Sequence, residues 1–191
     1  MGKIKLSELT PKGAPLSATD LLLISEVTSD GYASKSITGA EIRTSNPYGL
    51  FVSLETQTTV VNTPTPMRIA NVLLNQDVNI AESSQMVVDQ DGIYNVQFSA
   101  QIYRTSGGST QHVDIWFRVN GVDVDNSNTK VTVQNEYYHN PAWNLFVSLR
   151  AGDYVEIMWA TTSSSIELIY ENGNSIHPAI PSVIATINRI N

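Results

Sequence analysis

From residue 92 onward, apolar side chains recur at every second position in one segment after another, and this period confines the chain to strands. Tyr94, Val96, Phe98, Ala100 and Ile102 alternate with Asn95, Gln97, Ser99 and Gln101, the pattern of a strand with one buried face. Val113, Ile115, Phe117 and Val119 repeat it and run into Asn120-Gly121, the commonest pair for a type I′ hairpin turn. Trp143, Leu145, Val147 and Leu149 form a third series. Ala151-Gly152-Asp153 then turns the chain, and Val155, Ile157 and Trp159 resume the alternation, which predicts a second hairpin. Weaker strands are expected at 50–60, 84–89, 129–134, 165–170 and 182–190. Many short strands about ten residues apart predict an all-β sandwich or barrel.

Residues 1–46 are of another kind. Short apolar clusters (Ile4, Leu6, Leu9; Leu16; Leu21 to Ile24; Ile37, Ile42) are separated by Pro11, Gly13, Pro15, Asp30-Gly31 and Gly39. They are too small to make a core alone, yet too apolar for a flexible linker. Thr38-Gly-Ala-Glu41 fits a capping box and predicts one helical turn before Asn46-Pro47. The expected organisation is a docking arm over 1–46, which orders on another protein, and a β domain over 47–191.

Charge separates the two parts as well. Of 11 basic and 18 acidic residues in the chain, residues 1–46 hold five of each and residues 47–191 hold six and thirteen. An acidic β domain argues against binding a nucleic-acid backbone or an anionic membrane surface. Without cysteine there is neither a disulfide nor thiolate chemistry, so stability comes from burial, within the chain or against partners. The start MGKIKL carries neither a signal-peptide core nor a myristoylation signal, and Leu21–Ile24 falls far short of the roughly 20 apolar residues of a membrane span. No membrane insertion is expected.

Catalytic and metal-binding chemistry finds little support. His112, His139 and His177 sit in unrelated segments without metal-ligand spacing. Asp89-Gln-Asp91-Gly92 continues into Ile93-Tyr94 rather than into the further ligands a calcium loop needs, so it reads as a turn. Asp123 and Asp125 alternate onto one solvent-facing side. No nucleophile–base pair, phosphate loop or dinucleotide fingerprint is present. The expectation is a protein that is not an enzyme and carries neither metal nor cofactor.

More informative is a second apolar face. Opposite the core side of 143–159, the alternation leaves Phe146, Tyr154 and Met158, and Trp116 falls between Asp114 and Arg118 on the same side of its strand. Several such residues on adjacent strands would make a patch too large for a monomer to leave wet. Burying each Phe or Met would contribute roughly 1.5–3 kcal/mol. A one-residue slip in register would instead place them in the core.

The segments TPMRIANV, DGIYNVQFSAQI, DIWFRVNGVDV, PAWNLFVSLRAGDYVEIMWA and HPAIPSVIATINRI, in this order, resemble a family of tailed-bacteriophage virion proteins whose C-terminal domains are similar to the C1q/TNF-like jelly roll. The motifs that carry the likeness are Gly92-x-Tyr94, the Asn-Gly turn and Leu149-x-x-Gly152-Asp153-x-Val155. Residues 3–42 resemble the N-terminal segments by which phage fibre and decoration proteins attach to the particle. The resemblance implies a jelly-roll sandwich preceded by an extended arm, and a homotrimer about a three-fold axis lined by aromatic and aliphatic side chains. Trp116, Phe146, Tyr154 and Met158 are then the expected trimer-interface residues, and Leu6, Leu9, Leu16, Leu22, Ile24 and Ile37 the expected docking residues of the arm.

Some members of that family bind calcium near the trimer apex, but no dense acidic cluster here carries this over. The chain also lacks the shaft of a long fibre. The expected role is a short fibre or decoration knob on the virion surface, synthesised in the host cytoplasm and anchored to a capsid or tail protein, head favoured over tail. The alternative is an adsorption protein whose loops at 105–111 or 171–177 bind a host-surface glycan.

Overall fold

The computed structural model describes residues 17, 19–38 and 46–190. The chain divides into two compact units, 1–45 and 46–191. In the first, β1 (Leu21–Thr28) and β2 (Gly31–Thr38) pair antiparallel through a two-residue loop, with Leu22 opposite Ile37 and Ile24 opposite Lys35. A single hairpin thus stands where the sequence suggested separate apolar clusters. The cause is local: the Leu21–Ile24 run meets the 31–38 segment across a turn closed by Gly31, whose φ is 130°. The expected helical turn at 38–41 lies outside the described residues except for Thr38.

The second unit is all strand and turn. It runs through β3 (Tyr48–Ser53), β4 (Thr65–Pro66), β5 (Asn71–Gln76), β6 (Val78–Ala81), β7 (Gln85–Val88), β8 (Gly92–Ala100), β9 (Ile102–Arg104), β10 (Gln111–Val119) and β11 (Val122–Asp123). It continues through β12 (Thr129–Val133), β13 (Tyr138–His139), β14 (Ala142–Leu149), β15 (Tyr154–Thr161), β16 (Ile166–Leu168) and β17 (Val183–Arg189). One sheet has the order β14-β8-β17-β3-β5. The facing sheet has the order β11-β10-β15-β7-β6, with β12 beside β10 and β4 beside β15. A small sheet, β13-β9-β16, extends one end.

The chain crosses repeatedly between the two large sheets: β3, β8, β14 and β17 belong to one, and β7, β10, β12 and β15 to the other, with β10 to β12 the one step among these that stays within a sheet. The first and last of these, β3 and β17, are paired neighbours. This winding of Greek keys over two sheets is a jelly roll, the fold class expected from the sequence.

The core lies where the alternation predicted. Tyr94, Val96, Phe98, Ile115, Phe117, Leu149, Val155, Ile157 and Trp159 are all buried. Phe98 of one sheet meets Phe117 of the other edge-on at 5.8 Å and Trp143 at 4.6 Å, a favoured arrangement of ring quadrupoles. The Asn120-Gly121 hairpin forms as predicted, with φ 48° and 80° at the turn and Val119 opposite Val122. Gly92 has a packing reason: a Cβ there would stand 2.6 Å from Arg189 Nε.

One expectation is corrected. Residues 143–159 are not a hairpin, because β14 pairs with β8 whereas β15 pairs with β10, β7 and β4. The turn at 150–153 is a corner that carries the chain from one sheet to the other. Asp153 holds it, its Oδ2 accepting from Arg150 N at 2.8 Å. Both strands still feed the same core, one from each sheet.

Candidate functional site

The corner decides which of the expected interface residues share a surface. Phe146 lies on β14 and points away from the core, 61% exposed. Trp116, Tyr154 and Met158 lie on β10 and β15, in the opposite sheet. The outer faces of a sandwich point in opposite directions, so the four residues do not line one axis. Met158 is also fully buried within the protomer, between Trp116 of β10 and Pro66 of β4 in the register. It therefore drops out of the candidate surface; β4, a two-residue strand without alternation, is its neighbour in the sheet. Trp116 is partly buried and donates from Nε1 to Asp123 Oδ1 at 2.8 Å, and Tyr154 is partly buried at the corner.

The two outer faces differ in chemistry. On the sheet containing β10 and β15, the outward positions include Asp114, Trp116, Arg118, Glu156 and, on β12, Lys130. Arg118 pairs with Asp123 at 2.7 Å and Lys130 with Asp114 at 4.0 Å. Hydrogen bonds from Arg118 and then from Trp116 hold the Asp123 carboxyl below its usual range. Asp114, Trp116, Asp123 and Asp125 help to line a shallow open depression of about 410 Å³. Among the described residues, no three His, Asp or Glu side chains converge in a way that could hold a metal ion.

The outer face of the other sheet is uncharged. Its rows across the strands are Ala142, Ser99, Ile184, Val52 and Asn71; then Asn144, Gln97, Thr186, Leu50 and Leu74; then Phe146, Asn95, Asn188, Tyr48 and Gln76; with Ile93 opposite Ser148. No Asp, Glu, Lys or Arg stands in any of them. Phe146, Leu74, Ile93 and Ile184 are exposed, and Asn144 Nδ2 donates to Asn95 Oδ1 at 2.9 Å beside Phe146. At the margin, β5 is an edge strand whose six residues are all exposed, Val72, Leu73 and Leu74 among them. A long apolar edge is a template for further association unless something covers it. Sequence reasoning missed β5 because both of its faces are exposed, which leaves no alternation to read.

The expected docking residues divide by position. Leu6, Leu9 and Leu16 lie outside the described residues. Leu22, Ile24 and Ile37 share one face of the β1–β2 hairpin, where Lys35 pairs with Glu26. The other face carries Leu21, Leu23, Val27 and Tyr32, each about 70–80% exposed, and these were not singled out because the apolar run 21–24 does not say which face is dry. Two strands with apolar groups on both faces are marginal alone in water.

No protein-family model matches the chain, and no curated protein sequence matches it. Among solved structures, the chain is similar to murine APRIL, a TNF-family jelly roll, crystallised at pH 8.5 (10% identity, TM-score 0.49) and at pH 5.0 (9% identity, TM-score 0.46). Each likeness covers 76% of this chain and 100% of the other. The strand order, rather than these distant likenesses, carries the jelly-roll assignment.

Proposed function

We propose that the protein is a non-enzymatic structural component of a phage virion, a homotrimeric knob attached to the particle by its N-terminal unit, on the head in preference to the tail. The observation that carries the reading is the uncharged outer face of the β14-β8-β17-β3-β5 sheet. In a domain of marked net negative charge, a broad face without one charged side chain, bearing an exposed Phe146 and bordered by an apolar edge strand, has the composition of an interface core. Like charges would oppose association of identical acidic subunits, and this is the face on which they are missing.

The trimer therefore assembles through this sheet, with Phe146 near its centre. The N-terminal hairpin, apolar on both faces, supplies attachment by burying Leu21, Leu23, Val27 and Tyr32, or Leu22, Ile24 and Ile37, on a capsid or tail protein. Resemblance of the five β-domain segments and of residues 3–42 to phage virion proteins supports the placement. Deleting residues 1–46 tests it: purified particles should lose the protein while the remaining chain still assembles. Particles that retain the truncated protein would overturn the anchoring role.

A further inference from the structure

We propose that the cleft between the 105–110 loop and the 134–136 turn binds a sugar acid, a carboxylate with hydroxyl groups beside it, through Arg104 and Asn135. Arg104 closes β9 and is only 3% exposed. Its guanidinium donates from Nη1 to Ser109 O, while Nε is buried without a partner. None of the ion pairs among the described residues includes Arg104. Glu136, whose backbone N–H bonds Arg104 O at 3.0 Å, has an exposed side chain and does not pair with it. A guanidinium taken out of water without an anion is costly, and buried charges are ordinarily paired. The group is therefore built to receive an anion from outside the protomer.

The loop is shaped to this end. Gly107 has φ 114°, and a Cβ there would stand 2.2 Å from Arg104 Nη2, so glycine lets the loop close over the guanidinium. The cleft holds about 230 Å³ and is lined by Arg104, Gly108, Ser109, Thr110, Gln134 and Asn135. That is below the roughly 300 Å³ at which pockets for drug-sized ligands begin, a size suited to one sugar residue. The backbone N–H groups of Gly108, Ser109 and Thr110 lie outside every strand and donate no backbone hydrogen bond among the described residues.

The second lining group fixes the rest of the ligand. Asn135 Oδ1 is buried and lacks a donor. A bare anion would satisfy Arg104 and leave this acceptor empty, whereas a carboxylate carrying neighbouring hydroxyls satisfies both. Neutral sugars would leave the guanidinium unpaired. The site needs neither the trimer nor attachment to a particle, so it stands apart from the proposed assembly role.

Calorimetric titration of the full chain with glucuronate, acetate and glucose tests the inference. Glucuronate should bind saturably at one site per protomer; glucose should bind about tenfold more weakly or worse, the loss expected for an unmet charge-assisted hydrogen bond, and acetate about fivefold more weakly, the loss expected for the unmet neutral bond to Asn135. Arg104→Gln should abolish glucuronate binding. Because removal of a buried arginine can disturb folding, Thr110→Glu serves as a second variant: an exposed rim residue becomes an internal carboxylate, which should block glucuronate while leaving the fold intact. Absence of glucuronate binding, or unchanged affinity in folded Thr110→Glu, would overturn the site. Acetate binding as tight as glucuronate would overturn the part assigned to Asn135.

Discussion

Asn120 and Asp153, thirty-three residues apart, clasp the turn of the β10–β11 hairpin to the corner between the two sheets. Asn120 Nδ2 donates to Asp153 Oδ1 at 2.8 Å while its Oδ1 accepts from Tyr154 N at 3.0 Å. The same asparagine adopts the left-handed backbone its turn requires. One residue thus shapes a hairpin and fixes the point where the chain leaves one sheet for the other.

Replacing Asn120 by Ala removes both side-chain bonds and places a Cβ-bearing residue without local support at positive φ. The expected loss is about 1–2 kcal/mol in urea unfolding of the full chain. Asn120→Gly keeps the turn and loses only the bonds, so it should be milder than Asn120→Ala.

The corner also gives a pH dependence. The backbone N–H of Arg150 and then the side chain of Asn120 hold the Asp153 carboxyl below its ordinary value of 3.8. A depressed folded pKa contributes stability that is fully present above the unfolded value and is lost as pH falls through the folded one. Thermal unfolding should be insensitive to Asp153 protonation near neutrality and should decline below about pH 4. In Asp153→Asn that acid limb should shrink.

Much of this fold was legible because its long strands are dry on one face only. Tyr94 to Ile102 and Val113 to Val119 alternate cleanly, and the core follows from them. The link between Leu149 and Tyr154 was not legible, since a Gly-Asp turn looks alike whether the chain returns to its own sheet or crosses to the other. That ambiguity put Phe146 and Met158 on one surface in the sequence and on opposite sheets in the structure. Arg104 and Asn135 reach one cleft only through the bond from Glu136 N to Arg104 O and the pairing of β13 with β9, which no spacing reveals.

Phe146 and Met158 should accordingly behave as opposites. Met158→Ala empties a fully buried position and should cost about 2–5 kcal/mol of protomer stability. Phe146→Ala should change that stability by about 0.5 kcal/mol or less when measured on dissociated protein. The cost of the Phe146 change should appear in assembly, as a higher dissociation constant.

Charge placed on either sheet should separate the two outer faces further. Phe146→Asp or Ile184→Asp inserts an anion into the uncharged face and should leave folded monomers. Trp116→Asp, on the charged sheet beside Asp123, should lower stability through loss of the indole contact yet leave the oligomer intact. Size-exclusion chromatography with light scattering distinguishes these outcomes.

The proposed assembly buries the uncharged sheet face between three copies of the chain. Native mass spectrometry of the full-length protein at micromolar concentration measures this directly. The mass of three chains, falling to one in Phe146→Asp, is the predicted result. A stable monomer, or a trimer that survives Phe146→Asp unchanged, would contradict it.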